Sequence, residues 1–111
     1  MTDTGDILND NYMAVSLGDG VAIKIKDRTL IAHPKVKELL INVAKENNIP
    51  YQLEILECAG TDAGAIHVAD KGVMTGALSI PTRYIHTISE MADITDIENT
   101  VKLLGCSISQ I

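Results

Sequence analysis

The chain has no tryptophan and no phenylalanine, and its three aromatic residues are all tyrosines. A core without large rings must be built from Ile, Leu, Val, Met and Ala, and a hydrophobic content of 46% is enough for a globular protein. No apolar run approaches the ~20 residues that cross a bilayer, so the sequence predicts no membrane partner. At 111 residues, the chain is one small domain or a piece of a larger one.

Basic residues are also scarce, with nine Lys and Arg against fifteen Asp and Glu and a net charge of -6. Nucleic-acid binding needs a basic surface, so this balance argues against a nucleic-acid partner. The first ten residues are polar and acidic, unlike a signal peptide, and favour a cytoplasmic location. Only two cysteines occur, Cys58 and Cys106; their spacing is not that of a metal site, and we expect buried free thiols.

The first half of the chain predicts a β-hairpin followed by a helix. Residues 12–17 and 21–26 alternate with a period of two on either side of Gly18-Asp19-Gly20, which is a turn signal. His33-Pro34 then opens the clearest helix, because proline suits the first helical position. Apolar residues recur through it at helical spacing: Val36, Leu39, Leu40, Val43 and Ala44.

The second half alternates strands and helices, which predicts an α/β fold with helices packed on a mixed, partly parallel sheet. A strand is predicted over residues 51–57, with Leu53 and Ile55 on one face, and a short helix over 61–69 is closed by Gly72. A buried central strand over 73–80 ends at Pro81, and a loop over 81–92 follows it. A final helix, capped by Asp93 or Thr95, turns four apolar residues inward: Ile97, Val101, Leu104 and Ile108.

Two segments follow predicted strands, at the sheet edge where ligands gather in such folds. The first contains Gly60-Thr61-Asp62-Ala63-Gly64, whose glycines allow the backbone to approach a ligand at a helix start. The alternative is plain structure, with Thr61 or Asp62 capping the helix and the glycines making the turn. The pattern alone favours this structural interpretation, and the ligand-binding interpretation stays open beside it.

The second segment, Pro81-Thr82-Arg83-Tyr84-Ile85-His86, delivers Arg83, Tyr84 and His86 to the same edge. A neutral histidine is a common ligand of zinc-like ions, although a single histidine is also a common surface or capping residue. His33 is expected to begin a helix, and His67 to lie within one, either packed or half-exposed. No His, Cys or carboxylate pair has the close spacing of a self-contained metal motif, so spacing alone does not identify an enzyme.

Taken together, six ordered strings resemble the tetrahedral, or glutamyl-type, aminopeptidases, which are di-metal peptidases sometimes mislabelled as endoglucanases. The resemblance covers essentially the whole chain and corresponds to the last third of the family's sequence. The strings are Gly18-Asp19-Gly20-Val21-Ala22-Ile23-Lys24-Ile25-Lys26-Asp27-Arg28, Ile31-Ala32-His33-Pro34, Ile49-Pro50-Tyr51-Gln52, Gly60-Thr61-Asp62-Ala63-Gly64-Ala65-Ile66-His67, Pro81-Thr82-Arg83-Tyr84-Ile85-His86 and Asp96-Ile97-Glu98-Asn99-Thr100-Val101-Lys102-Leu103-Leu104.

The resemblance implies a zinc-peptidase-like αβα sandwich, interrupted by a small β-rich domain that helps to assemble dodecamers. It implies two zinc or cobalt ions held by two histidines and three carboxylates, with His86 as the last ligand. Thr61, Asp62, Arg83 and Tyr84 become candidates for the substrate pocket. The other ligands and the general-base Glu belong to segments upstream.

The implied function is removal of N-terminal residues from peptide substrates by a homo-oligomeric enzyme. Residues 1–111 would be the C-terminal segment of the catalytic domain, and the isolated chain is predicted to be inactive because one imidazole cannot hold a catalytic zinc. Two departures stand out: Thr87-Ile88 replaces the usual Ser-Pro after the ligand histidine, and Cys58-Ala59 stands where Arg-Gly or Gly-Gly is commoner.

Two functions of other classes are the alternatives. A non-catalytic module could use the same fold for binding or assembly. Glycoside hydrolysis needs two carboxylates that flank a sugar site, and the resemblance gives it no support.

Overall fold

The computed structural model describes residues 2–3, 15–56 and 59–111. Within these ranges nine elements follow one another: β1 (Thr2–Asp3), β2 (Val21–Asp27), α1 (Pro34–Glu46), β3 (Tyr51–Leu56), α2 (Asp62–Ile66), β4 (Leu78–Ser79), β5 (Pro81–Arg83), β6 (Met91–Ala92) and α3 (Ile94–Ile108).

The strands of the described residues form two small mixed sheets. In the first, β2 lies between β3, which is parallel to it, and β4, which is antiparallel. A bulge interrupts the pairing of β2 with β3 between Lys24 and Lys26. In the second, β5 pairs in parallel with β1 and antiparallel with β6. The predicted α/β class with a mixed, partly parallel sheet is therefore confirmed.

The core lies between one face of β2 and the two long helices. Its buried members are Val21, Ile23, Leu40, Val43, Ala44, Ile49 and Leu103. Residues paired in register project from the same face of a sheet, so Tyr51, Leu53 and Ile55 lie on the helix side of β3. Leu53 and Ile55 share one face as predicted, but both are more than 40% exposed.

Helix α1 matches its prediction closely. The His33 ring accepts a hydrogen bond from the Lys35 amide at 3.2 Å, and Pro34 occupies the first turn, where no amide donor is required. The periodic apolar residues face the core as expected. Asn47 ends the helix, and its amide bonds back to the carbonyls of Lys45 and Val43.

Helix α3 exists where predicted, with Asp93 as its cap, but the face assigned to the core was wrong. Its buried residues are Asp96, Leu103 and Ser107, whereas Ile97, Val101, Leu104 and Ile108 are between 38% and 67% exposed. The orientation of the helix is set by polar contacts, because the Asp96 carboxylate accepts hydrogen bonds from the amides of Gly18 and Gly20 at 2.8 and 3.0 Å. These bonds turn the Asp96 side of the helix inward.

Three other predictions were also wrong, in whole or in part. The described part of the first hairpin strand, residues 15–17, is not a strand, and residues 12–14 lie outside the described residues. Only Leu78–Ser79 of residues 73–80 forms a strand, at a sheet edge, and Val73 and Met74 are 48% and 60% exposed. The predicted loop 81–92 begins and ends with β5 and β6.

The helix predicted over residues 61–69 is shorter, and α2 ends at Ile66. Cys106 is a free thiol as expected but is half-buried rather than buried, and Cys58 lies outside the described residues. No helix in the described part of the chain has both the length and the apolar character needed to cross a membrane.

Candidate functional site

The turn that follows β3 is held by a hydrogen bond from its threonine. Thr61 occupies the cap position of α2, but its side chain makes no capping hydrogen bond. Its hydroxyl instead donates to Oδ2 of Asp27 at 2.8 Å, across to the end of β2. Thr61 therefore stands at the cap position as expected, but its hydroxyl binds Asp27 rather than the first turn of α2. Asp62, the next residue, lies exposed in the first turn of α2.

Thr29 packs against both glycines of this turn. A Cβ atom added to Gly60 would lie 2.7 Å from Cγ2 of Thr29, and one added to Gly64 would lie 2.1 Å from its Oγ1. The carbonyl of Thr29 also meets Nε2 of His67 at 3.1 Å, just after α2. The two glycines are therefore needed for the close packing of this turn and of α2 on Thr29.

Gly64→Ala tests this packing. We expect it to destabilise the chain by about 1–3 kcal/mol, because the new methyl group overlaps Thr29. Gly105→Ala is the matched control: it also lies in a helix, but its Cβ would meet nothing within 4 Å, so it should stabilise by about 0.5–1 kcal/mol. Urea unfolding followed by circular dichroism measures both. Equal changes for the two variants would contradict the described contact.

Asp27 is the centre of a hydrogen-bond network at the end of β2. Its Oδ1 accepts from the amide and the hydroxyl of Thr29 at 2.8 and 3.0 Å, while Oδ2 accepts from Thr61. Burial raises the pKa of Asp27, but the hydrogen bonds from Thr29 and Thr61 and the positive charge of Lys24 outweigh it and leave the pKa below its usual value.

The lowered pKa of Asp27 affects the stability of the protein at acid pH. A carboxyl whose pKa is lowered by folding stabilises the protein above its unfolded pKa of 3.8, and that stabilisation is lost as the pH falls through the lower, folded value. Asp27→Asn should therefore unfold more easily at neutral pH and lose less stability between pH 4 and acid conditions. Denaturation midpoints across pH measure this, with the exposed Asp19→Asn as control. Parallel pH curves for Asp27→Asn and the parent would contradict it.

Two further charged side chains are buried beside Asp27, and sequence analysis missed both. The Lys24 ammonium lies 3.4 Å from Oδ2 of Asp27 and 3.5 Å from Oε1 of Glu54. All three residues are at most 2% exposed. The available signal was a charged residue inside the apolar run of each of two neighbouring strands: Lys24 lies between Ile23 and Ile25, and Glu54 lies between Leu53 and Ile55.

The three charges lie next to the accessible end of the sheet. A surface depression at the carboxyl ends of β2 and β3 is lined by Lys26, Asp27, Arg28, Ile55 and Leu56. Asp27 is thus shared between the buried charges, the Thr61 hydroxyl and this edge of the sheet.

The loop that follows β5 holds the second group of predicted residues. The Arg83 guanidinium lies 4.8 Å from the centre of the Tyr84 ring and donates a hydrogen bond to the Tyr84 hydroxyl at 2.9 Å. Tyr84 and His86 both have left-handed backbone conformations, with φ of 53° and 62°. Such conformations cost energy in residues other than glycine and are concentrated at functional sites.

His86 differs from the other two histidines. Its backbone amide donates to the Glu90 carboxylate at 2.6 Å, which fixes the loop, while its side chain is exposed. The ring of His33 caps α1 and that of His67 meets the Thr29 carbonyl. His86 is therefore the histidine whose ring is presented outward from a fixed loop.

The structure also bears on how a metal ion would be held. Among residues 2–3, 15–56 and 59–111, no three His, Cys, Asp or Glu side chains come together in a way that could hold a metal ion. The exposed imidazole of His86 fits the role of one ligand, and a catalytic zinc takes about three from the protein. Further ligands would therefore have to come from residues outside this set.

The chain is similar to known aminopeptidases. Residues 1–103 match the model of the M42 glutamyl aminopeptidase family. A protein of Acetivibrio thermocellus named as an aminopeptidase is 54% identical over 104 residues, covering 94% of this chain and 32% of its own length. The lysyl aminopeptidase of Pyrococcus furiosus is 43% identical over 72 residues, or 64% of this chain and 21% of the relative.

Solved structures give the same result. An aminopeptidase from the archaeon Desulfurococcus kamchatkensis superposes with a TM-score of 0.93 at 38% identity, over 100% of this chain and 32% of that one. The TET1 peptidase of Pyrococcus horikoshii, described as assembling into a tetrahedron or a large octahedral shell, gives a TM-score of 0.74 at 32% identity over 83% of this chain and 27% of that one. A Thermotoga maritima protein named endoglucanase gives 0.66 at 26% identity over 98% and 33%.

The chain spans about a third of the length of the Acetivibrio relative and of the Desulfurococcus structure. The family match, by contrast, covers nearly all of the chain, from residue 1 to residue 103. This chain belongs to the M42 glutamyl aminopeptidase family.

Proposed function

We propose that the chain is the C-terminal segment of the catalytic domain of a two-metal aminopeptidase. In that enzyme it would contribute one metal ligand, His86, and part of the substrate-pocket wall, formed by Thr61, Asp62, Arg83 and Tyr84. The intact enzyme would remove N-terminal residues from peptides. The chain's share of its relatives' length, about a third, supports this division of the site between segments.

The observation that carries the proposal is that His86 has an exposed ring on a fixed loop, within the segment that matches the family. The residue lies within the matched range, 1–103, and its loop is fixed by the Glu90 carboxylate and shaped by two left-handed residues. A ligand needs a held backbone and an available ring, and His86 has both. His33 and His67 use their rings in the fold.

The remaining residues of the two groups would shape the pocket. The contact between Arg83 and Tyr84 joins two side chains of the segment that also carries the proposed ligand, His86. Thr61 is fixed through Asp27, so its position depends on the end of β2. The two divalent ions that the family resemblance implies, zinc or cobalt, would polarise the peptide carbonyl and activate a water molecule. His86 would bind one of them through its neutral imidazole.

We also propose a homo-oligomer. The TET1 peptidase of Pyrococcus horikoshii, which resembles this chain in fold, is described as forming large closed shells. The apolar residues of α3 that the described structure leaves exposed are a suitable surface for further protein contacts. The cytoplasmic location expected from the sequence stays a prediction.

The experiment compares the chain alone with a grafted enzyme, in which the 104 matched residues of this chain replace those of the Acetivibrio relative. The chain alone should not hydrolyse aminoacyl-nitroanilides with zinc or cobalt present, because it offers one ligand of the required set. The grafted enzyme should hydrolyse them. Robust turnover by the chain alone would refute the division of the site, and an inactive but folded grafted enzyme would refute the proposed function.

A further inference from the structure

We propose that Lys24 is a positioning residue for the substrate pocket, acting through Asp27 on the hydroxyl of Thr61. The inference rests on the proposed function, because it takes Thr61 as part of the pocket wall. It adds a role for a buried cation that touches neither of the two groups of proposed site residues.

The contacts form a chain from the interior to the turn after β3. Glu54 lies 3.5 Å from the Lys24 ammonium, which lies 3.4 Å from Oδ2 of Asp27. The same Oδ2 atom accepts the hydrogen bond of Thr61 at 2.8 Å. Lys24 and Thr61 therefore act on one oxygen atom, so the position of that atom couples the two residues.

The bulge in β2 is what makes this arrangement possible. In a regular strand, residues three apart point to opposite faces, so Lys24 and Asp27 would lie on different sides of the sheet. The irregularity between Lys24 and Lys26 shifts the pairing by one residue, so that Lys24 pairs with Glu54 and Asp27 with Leu56. All three charged side chains thus reach the face away from α1 and α3.

The charges leave Lys24 little freedom. Neither oxygen of the Glu54 carboxylate has a hydrogen-bond partner among the described residues. Within that part of the chain, the negative charge of Glu54 is therefore balanced by the Lys24 ammonium. One buried cation thus faces two buried carboxylates, and in a medium of low polarity it is strongly attracted to both. Such an ammonium is confined between them and restrains Asp27, which already accepts two bonds from Thr29.

A purely stabilising role does not account for the arrangement. Well-packed apolar residues usually stabilise a buried site at least as well as an ion pair does. This one includes an oxygen that binds Thr61 outside the sheet, and Thr61 makes no cap bond to α2. The restraint is therefore directed at the turn.

The first test follows the Thr61 side chain by methyl NMR in the grafted enzyme. Because Lys24→Met leaves the Glu54 carboxylate buried and unpaired, that variant can fail to fold, so Lys24→Met/Glu54→Leu is measured as well. In both variants, the Thr61 methyl signal should report an average over several side-chain rotamers instead of one. The chemical shifts of methyl groups in α1 should stay unchanged. Lys45→Met, on the exposed end of α1, is the matched control and should leave Thr61 unchanged.

The second test uses kinetics. If Thr61 contributes to substrate binding, the Lys24→Met/Glu54→Leu variant should raise KM by about 10–100-fold with little change in kcat. Thr61→Val should do the same, and Thr61→Ser, which keeps the hydroxyl, should restore most of the affinity. In the Thr61→Val background, the Lys24→Met/Glu54→Leu change should cause almost no further rise, because both changes remove the same restraint.

The outcomes separate this inference from the proposed function. A Thr61 methyl that keeps one rotamer in the Lys24→Met/Glu54→Leu variant would overturn the positioning role, even if the enzyme is active. Independent, multiplying effects on KM would overturn it as well. Loss of the single rotamer in an enzyme that does not cleave peptides would confirm the restraint of Thr61 and refute its assignment to a peptidase pocket.

Discussion

His86→Ala in the grafted enzyme should release one of the two metal ions and lower kcat by more than the ~10–100-fold that loss of an outer-shell partner costs. The physical reason is the loss of a ligand from a site that needs about three protein ligands per catalytic ion. Metal content, measured by mass spectrometry after gel filtration, and kcat with aminoacyl-nitroanilides test the two parts separately.

The other two histidines provide the controls. His33→Ala removes the ring that caps α1 and should cost about 1 kcal/mol of stability without loss of metal. His67→Ala removes the ring that contacts the Thr29 carbonyl and should likewise retain both ions. Equal metal content and equal rates in all three variants would remove His86 from the ligand set.

Lys24→Met should produce the largest loss of stability, about 3–5 kcal/mol. The substitution preserves the length of the side chain but leaves Glu54 and Asp27 buried without their cation. Since whole domains are stable by only about 5–15 kcal/mol, the loss should be evident as a large fall in the urea midpoint.

The Lys24→Met/Glu54→Leu variant separates charge from packing. It replaces the ion pair by two apolar side chains of similar size, so its stability should lie much closer to that of the parent than to that of Lys24→Met alone. A double variant as unstable as Lys24→Met would show that the cost arises from the shape of the cavity rather than from an unpaired buried charge.

Helix α1 could be predicted from sequence because all of its signals agree. The cap at His33, the proline at its first position and the apolar period point to the same helix. Helix α3 shows the limit of that method: its start was correctly predicted, but its orientation depends on a carboxylate that binds two backbone amides 76 and 78 residues away. An apolar period cannot anticipate a polar contact over that distance.

Residues 73–80 show why a short apolar run is ambiguous. The run predicts a central strand, but only Leu78–Ser79 is a strand and the rest is irregular. Single backbone bonds hold it in place, from His33 to Thr75 and from Lys24 to Ala77. Gly76 packs so closely on Val36 that an added Cβ would lie 2.5 Å from that side chain. Composition alone does not distinguish such a segment from a paired strand.

The candidate site was predicted in part. The sequence predicts two segments for it, the ones that carry Thr61, Asp62, Arg83, Tyr84 and His86, because both match family strings; their role in a site stays a prediction. It did not identify the buried charges behind Thr61, since their meeting depends on the bulge in β2. A bulge has no signature in the alternating run of residues 21–26.

The most direct test of the central claim is a crystal structure of the grafted enzyme with anomalous diffraction recorded at the zinc edge. The account predicts two anomalous peaks, with an imidazole nitrogen of His86 at about 2.0–2.1 Å from one of them. Two peaks coordinated entirely by residues of the relative, with the His86 ring turned away from both, would contradict it.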